Sequence, residues 1–403
     1  MQIPLALEGL SETEIEMVCE VFRSGQLTMG NRVSEFETLF AKKMGAKHAV
    51  MLNSGSSANL LALESLRNKV KEKNLDPRDF FIAVPAVLWP TSLWPIIQTG
   101  FKVVVIDTKP DSLEIDFDQL ETAKIQLGKR LLGAVLIHPL GKALDLDRIK
   151  DLKNNSDFFV LEDNCESIGS GKDGTYAGTI GDFGSFSFYY SHHITTVEGG
   201  MITTNSSEYA NELLSMRAHG WTRNRLDRSS IEKSHPNLHK EFLFVTSGYN
   251  LRPMEFQGAL GVSQLSQLDN FIQKRIENAN IINDSLQNSS LELIANESLS
   301  VKNDFTTRDK PVPHSWMALP LRSKIQNLSI KKIQDKLNSL GISTRPLLAG
   351  DFTAQPAGLH HDIIKHGELN NSKELYANSF MIGNHHNYSE NQINYLASTL
   401  KEI

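Results

Sequence analysis

Short apolar runs alternate with helix-like stretches from about residue 45 to residue 205, and this alternation restricts the fold more than any other feature of the chain. "HAVML" (48–52), "FFIAV" (80–84), "KVVVID" (102–107), "LLGAVLIH" (131–138) and "FFVLED" (158–163) are almost continuously apolar. Such runs suit strands that are buried on both faces. Between them, "SSANLLALESLRNKV" (56–70) sets Leu60, Leu63 and Leu66 at helical spacing. "TSLWPIIQTG" (91–100) reads as a short helix ending in glycine, and "LDRIKDLKNN" (146–155) as another helix. "SFSFY" (185–189) and "GMITT" (200–204) continue the strands. The repetition predicts an α/β fold, with a mostly parallel central sheet covered by helices on both sides.

Past residue 205 the texture changes. "SSEYANELLSMRAHG" (206–220) is helical in pattern, and residues 222–242 are polar and charged, as in a loop over a site or a partner. Residues 255–286 hold a long helical pattern with Ile272, Ile276, Ala279 and Leu286 on one face. A strand, "SWMALPLR" (315–322), and a helix, "IKKIQDKLNSLG" (330–341) with Gly341 as its stop, follow. The expected organisation is a large domain over 36–260 and a smaller α+β domain over 261–403, with residues 1–35 packing on the smaller one. A chain of 403 residues has room for both.

Composition narrows the function classes. A formal charge of −6 argues against nucleic acid or an anionic membrane as the main partner. The two cysteines, Cys19 and Cys165, supply neither a disulfide framework nor the four ligands of an iron–sulfur cluster, and no other metal site is expected. They suit reduced thiols in the cytoplasm. "MQIPLALEGLSETEIE" lacks the basic segment and apolar core of a secretory leader. The longest apolar stretch is broken by Pro85, Pro90 and Pro95, unlike a membrane span.

Three motifs carry chemistry. "NSGSSANL" (53–60) follows a strand and opens a helix. Gly55 permits a tight turn there, and the hydroxyls of Ser56 and Ser57 join free helix N–H groups to make an anion site suited to phosphate. A serine-rich helix cap reads the same way. "LEDNCES" puts Asp163 just past the end of an apolar strand, where open α/β sheets place ligand contacts. A carboxylate there holds a ring nitrogen protonated; the alternative is a helix cap or a surface acid. Trp89, at another strand end, stacks on a flat ring or fills the core. Phosphate, ring nitrogen and ring face together describe pyridoxal phosphate or its amine form, pyridoxamine phosphate. Such a site normally has a lysine that bonds the cofactor aldehyde. The expected place is "SFSFYYSHH", yet no lysine occurs between Lys172 and Lys233.

From about residue 25 onwards the chain resembles the sugar-modifying branch of the fold-type I, aspartate-aminotransferase-like enzymes, the DegT/DnrJ/EryC1/StrS family. The resemblance rests on "SGSSANL", "LEDNCES", "SFYYSHHITTVEGG", "RAHGWTRN" and "GYNLRP" taken together. In that branch the aminotransferase lysine lies a few residues before "EGG". Here His192 stands in its place, which resembles the 3-dehydratases of deoxysugar biosynthesis. The resemblance implies C-3 deoxygenation of a nucleotide-linked 4-keto-6-deoxyhexose, with GDP favoured and CDP, UDP and dTDP open. It also implies L-glutamate as amino donor, ammonia as by-product, and a role in surface polysaccharide. An imidazole forms no stable covalent link to the cofactor but shuttles protons near neutrality. The cysteine count fits the cluster-free, glutamate-recycling kind.

Further roles follow from the resemblance alone. Ser187 contacts the cofactor phosphate, and Glu166 lies on the hydroxyl side of the ring. Asn250 reaches the phosphate of a neighbouring subunit, which implies a homodimer with shared sites. His219, Arg223 and Arg345 bind the carboxylate of glutamate or the sugar nucleotide. His193 serves as support or as packing. Lys142, near a strand end, is a solvated lysine or a substitute for the absent one. A sugar aminotransferase using His192, or a cofactor-binding protein without catalysis, are the competing functions.

Overall fold

Eight strands form one sheet in the computed structural model, which describes residues 1–7, 9–154, 157–300, 310–325 and 328–403. In chain order they begin with β1 (His48–Leu52), β2 (Phe81–Pro85), β3 (Lys102–Ile106), β4 (Leu131–Ile137) and β5 (Phe159–Asp163). A two-residue hairpin, β6 (Gly171–Lys172) and β7 (Thr175–Tyr176), stands apart, and β8 (Phe183–Ser187) and β9 (Gly200–Thr204) return to the sheet. A second sheet holds β10 (Leu291–Leu293), β11 (Ala318–Ser323), β12 (Thr344–Pro346) and β14 (Ser379–Gly383), while β13 (Ile363–Lys365) joins the first. The large sheet runs β1-β9-β8-β5-β4-β2-β3-β13. Only β9 is reversed; it pairs antiparallel with both β1 and β8. The carboxyl ends of β1, β2, β4, β5 and β8 therefore share one edge.

The continuous apolar strands are explained by two cores. Along β2, Ile82 and Val84 enter one cluster, and Phe81 and Ala83 enter the other. β3 divides likewise, Val103 and Val105 against Val104 and Ile106. Alternation of side chains is intact, but both faces are covered, so both sets are apolar. Helix α1 (Glu12–Ser24) and helix α2 (Asn31–Met44) pack on the long helix Glu255–Ser285. A third core lies there: Phe40 meets Phe186 edge to face at 5.0 Å, within a cluster containing Ile272, Ile276 and the second sheet's Leu319 and Phe380.

Boundaries differ from expectation for local reasons. The expected domain division at residue 260 falls inside the helix Glu255–Ser285, and β13, from the C-terminal third, extends the large sheet beside β3. Ile3 bridges Ile342, so the N-terminus lies against the C-terminal part. The expected helix at 91–100 is a 3-10 turn, Pro90–Ser92, followed by a short helix, Trp94–Gln98. Pro95 is tolerated there because first-turn positions need no N–H donor. The expected helix at 146–155 spans Leu146–Lys153, and Asn155 lies outside the described residues. Residues 222–242 are not all loop: Arg228–Ser234 is helical, stitched by Arg228 to Glu232 and Glu241. No helix among the described residues is long and apolar enough to cross a membrane.

Candidate active site

Asp163 ends β5 at the shared carboxyl edge. Its backbone is fixed on both sides: Ile137 and Ser185 are its strand partners, its carbonyl accepts from the His138 N–H at 3.0 Å, and the next residue's N–H donates to Ser185. The side chain is 4% exposed. Oδ2 accepts from Asn59 Nδ2 at 2.8 Å and from Ser92 Oγ at 2.7 Å, and Oδ1 from the Cys165 N–H at 3.2 Å. Hydrogen bonds to a charged group contribute roughly 1.5–3 kcal/mol each. This donor set orients the carboxylate towards the shared edge, where it could accept from a ring N–H. Cys165 beside it is inert as a nucleophile, since burial and then the charge of Asp163 hold its thiol far above the usual range.

Helix α3 (Gly55–Glu72) starts within this group. Ser54 caps it by accepting from the Ser57 N–H at 3.1 Å, and Ser57 Oγ donates to Asn53 Oδ1 at 2.6 Å. Gly55 has a role other than the expected turn. A Cβ there would lie 2.7 Å from Cys165 Sγ and 2.8 Å from Ser187 Cβ. The glycine lets the helix start approach the ends of β5 and β8. First-turn N–H groups have no carbonyl within the helix to bond, and here they share the edge with Ser56, which is exposed, and Ser187, which is half-buried. The cradle fits a phosphate.

Glu166 is also half-buried, accepts from the Leu140 N–H at 2.9 Å, and is pushed up to about 7 by burial, the charge of Asp163 adding to this. Near neutral pH it therefore holds a proton more readily than an ordinary glutamate.

His192 lies in the loop between β8 and β9. Two bonds close that loop at its base, Phe188 N–H to Gly199 and Thr196 N–H to Phe188, at 2.9 and 3.0 Å. Val197 sits at φ 72°, a left-handed conformation that a β-branched residue adopts only under constraint. His192 is half-buried, and its Nδ1 is buried with no hydrogen-bond partner among the described residues. Burial pushes its pKa down to about 4, and Arg275 acts in the same direction while Asp163 opposes. At neutral pH it is an uncharged imidazole. His193 is turned away and buried, its Nε2 against the Ser315 carbonyl at 3.0 Å.

The other expected residues lie elsewhere. Trp89 is 59% exposed; the adjoining turn brings Ser92, not the indole, to Asp163. His219, Arg223 and Asn250 are exposed, and the residue after Asn250 accepts from the Asn53 N–H at 3.0 Å, next to the α3 start. His219 takes φ 64° and donates its N–H to Tyr249, Ala218 bridges Asn250, and the Arg223 guanidinium lies 4.4 Å over the Trp221 ring. Arg345 is exposed on β12, its Nη1 on the Thr344 carbonyl. Lys142 is held by Glu297 at 2.7 Å and Glu114 at 3.6 Å, an ion-pair role rather than a substitute lysine.

A family model for the DegT/DnrJ/EryC1/StrS aminotransferase family matches residues 9–401. The chain belongs to that family. GDP-4-keto-6-deoxy-D-mannose 3-dehydratase of Escherichia coli O55:H7 is 36% identical to it over 402 residues, 99% of each chain. The enzyme of the same name from Yersinia pseudotuberculosis is 35% identical over 408 residues, 100% of this chain and 99% of its own. A solved structure of GDP-4-keto-6-deoxymannose-3-dehydratase with a trapped PLP-glutamate geminal diamine has a TM-score of 0.88 and 33% identity, over 99% of this chain and all of the other.

Within this family member, sequence reasoning passed over three residues. Asn59 and Ser92 orient Asp163. An asparagine on the buried face of a helix with Leu63 and Leu66 was the available signal. Arg275 was the third: an arginine between Ile272 and Ile276, on a face that is otherwise apolar.

Proposed function

We propose that this chain is a pyridoxamine-phosphate-dependent 3-dehydratase of a nucleotide-linked 4-keto-6-deoxyhexose, with GDP-4-keto-6-deoxy-D-mannose as substrate. The observation that carries this reading is His192 in the loop after β8, with an unpartnered Nδ1, beside a buried Asp163 that three donors orient. When bound, pyridoxamine phosphate supplies an amine for the 4-keto group and a ring that accepts electrons. Asp163 binds the ring nitrogen and keeps its proton in place. The α3 start and Ser187 bind the phosphate, and Gly55 makes room for both. His192, neutral at pH 7, would take a proton from the carbon next to the cofactor amine and would return one as the C-3 hydroxyl departs. Glu166, poised near 7, holds the proton on the ring's hydroxyl side.

The balance closes with glutamate as reductant. Its oxidation to 2-oxoglutarate releases two electrons and its nitrogen leaves as ammonia. The sugar loses one oxygen, which the 2-oxoglutarate carbonyl gains in the net exchange. Arg223, His219 and Arg345 bind substrate carboxylate or phosphate, and Asn250 completes the site of a partner copy in a homodimer. We place the enzyme in the cytoplasm, with its reduced thiols and sugar-nucleotide substrate.

The test is incubation with pyridoxal phosphate, glutamate and GDP-4-keto-6-deoxymannose. A product one oxygen lighter than the substrate is expected. An aminosugar instead would make the chain an aminotransferase.

A further inference from the structure

Arg275 is 1% exposed in the middle of the long helix Glu255–Ser285. Its acceptors are all carbonyl oxygens. Nη1 donates to Met317 at 2.9 Å and to Asn384, and Nη2 donates to His192 at 3.3 Å. Asn384 answers by donating to the carbonyls of Arg275 and Trp316. Asn278, one turn along the helix, donates to Asn384 Oδ1 and to the His385 carbonyl. One guanidinium thus joins the histidine loop to the residues before β11 and after β14. No carboxylate pairs with it among the described residues. Burying a cation without a counter-charge is costly, and a neutral donor would serve three carbonyls at less cost. The charge itself therefore calls for a role.

We propose that Arg275 is a positioning residue for His192: it fixes the loop carbonyl and sets its charge beside the imidazole. The charged groups facing His192 are Arg275 and Asp163, of opposite sign. Tyr189 adds its ring, edge-on at 6.0 Å. Around Arg275 itself lie His193, His385, His386 and Tyr388, and burial followed by the Arg275 charge holds the first three imidazoles below the usual histidine range. They add no positive charge at neutral pH. Asp163 favours a proton on His192; burial first, and then the Arg275 charge, oppose it.

This inference rests on His192 as the base of the proposed reaction, so its first readout needs no turnover. The ring resonance of His192, assigned by its loss in His192→Asn, is titrated by NMR in protein loaded with pyridoxal phosphate. In Arg275→Gln the midpoint rises by about one pH unit, the effect of removing a nearby like charge. In Arg275→Lys the midpoint stays low, while kcat falls at least tenfold with KM little changed, because one ammonium cannot span three carbonyls. A folded Arg275→Gln protein with the wild-type midpoint overturns the proposal. Where Arg275→Gln does not fold, Arg275→Lys decides: an ordinary histidine midpoint refutes the charge role, and an unchanged kcat refutes the positioning role. Failure of the dehydratase reading would show separately, as wild-type enzyme that makes no deoxygenated sugar.

Discussion

The buried group around Asp163 and the exposed group around Arg223 are built on different terms. Asp163, Asn59, Ser92, Gly55 and His192 come from four segments that the sheet brings to one edge, and their polar atoms are tied mainly to one another or to backbone. His219, Arg223 and Asn250 come from one stretch of chain, and Arg345 from another sheet. Their partners are local: Tyr249, Trp221, Arg252 and Thr344. The first group is set before any ligand arrives. The second offers cations and aromatic rings to something outside the fold. Trp221, Phe242 and Phe244 stack beside Arg223, and Phe242 and Phe244 are largely exposed. The buried group is fixed by the interior of one chain; the exposed group is held only by its neighbours on the surface.

The largest effects should come from the buried group. His192→Asn lowers kcat by roughly 10²–10⁴-fold, the usual contribution of a positioned base, with cofactor affinity retained; single-turnover deoxygenation measures it. Asp163→Asn weakens cofactor binding by about 2–5 kcal/mol, as loss of one partner of a buried charge pair does, which equilibrium dialysis reads. Gly55→Ala forces a methyl against Cys165 and Ser187 and destabilises by about 1–3 kcal/mol, seen as a lower Tm. The exposed group should answer differently. Arg223→Ala leaves stability within about 0.5 kcal/mol and raises KM instead. An Arg223 variant that lost stability as Gly55→Ala does would erase the distinction.

A pH profile sharpens the comparison. His192 has its pKa pushed down to about 4, so the folded protein binds a proton there less readily than the unfolded chain. Its contribution to stability is thus complete above the ordinary histidine value and is lost as pH falls towards 4. The matching acid limb of kcat/KM should lie near pH 4, not at the free-histidine value. An acid limb near 6.5 that disappears in His192→Asn would contradict the desolvated base.

How much of this was legible in the sequence follows the same division. β1 and β9 occupy the runs "HAVML" and "GMITT" residue for residue, because short, mostly buried runs of mainly apolar or β-branched residues suit strands. Asp163 was legible because an acid at the end of such a run has few structural uses. The helix Glu255–Ser285 was legible from its period, yet its part in bridging the expected domains was not, since periodicity reports a face and not what covers it. Asn59 and Ser92 stayed hidden because their value lies in a contact with Asp163 across 104 and 71 residues. For Trp89, a strand end locates a residue near the edge without fixing where its side chain goes, and the residue is 59% exposed.

The central claim is that histidine at position 192 makes this chain release nitrogen rather than keep it. Tracing nitrogen from ¹⁵N-glutamate through turnover with GDP-4-keto-6-deoxymannose tests it most directly. The account predicts one equivalent of ¹⁵N-ammonia for each 3-deoxy sugar formed, with no label in the sugar. Label retained in an aminosugar that keeps its C-3 oxygen would contradict it.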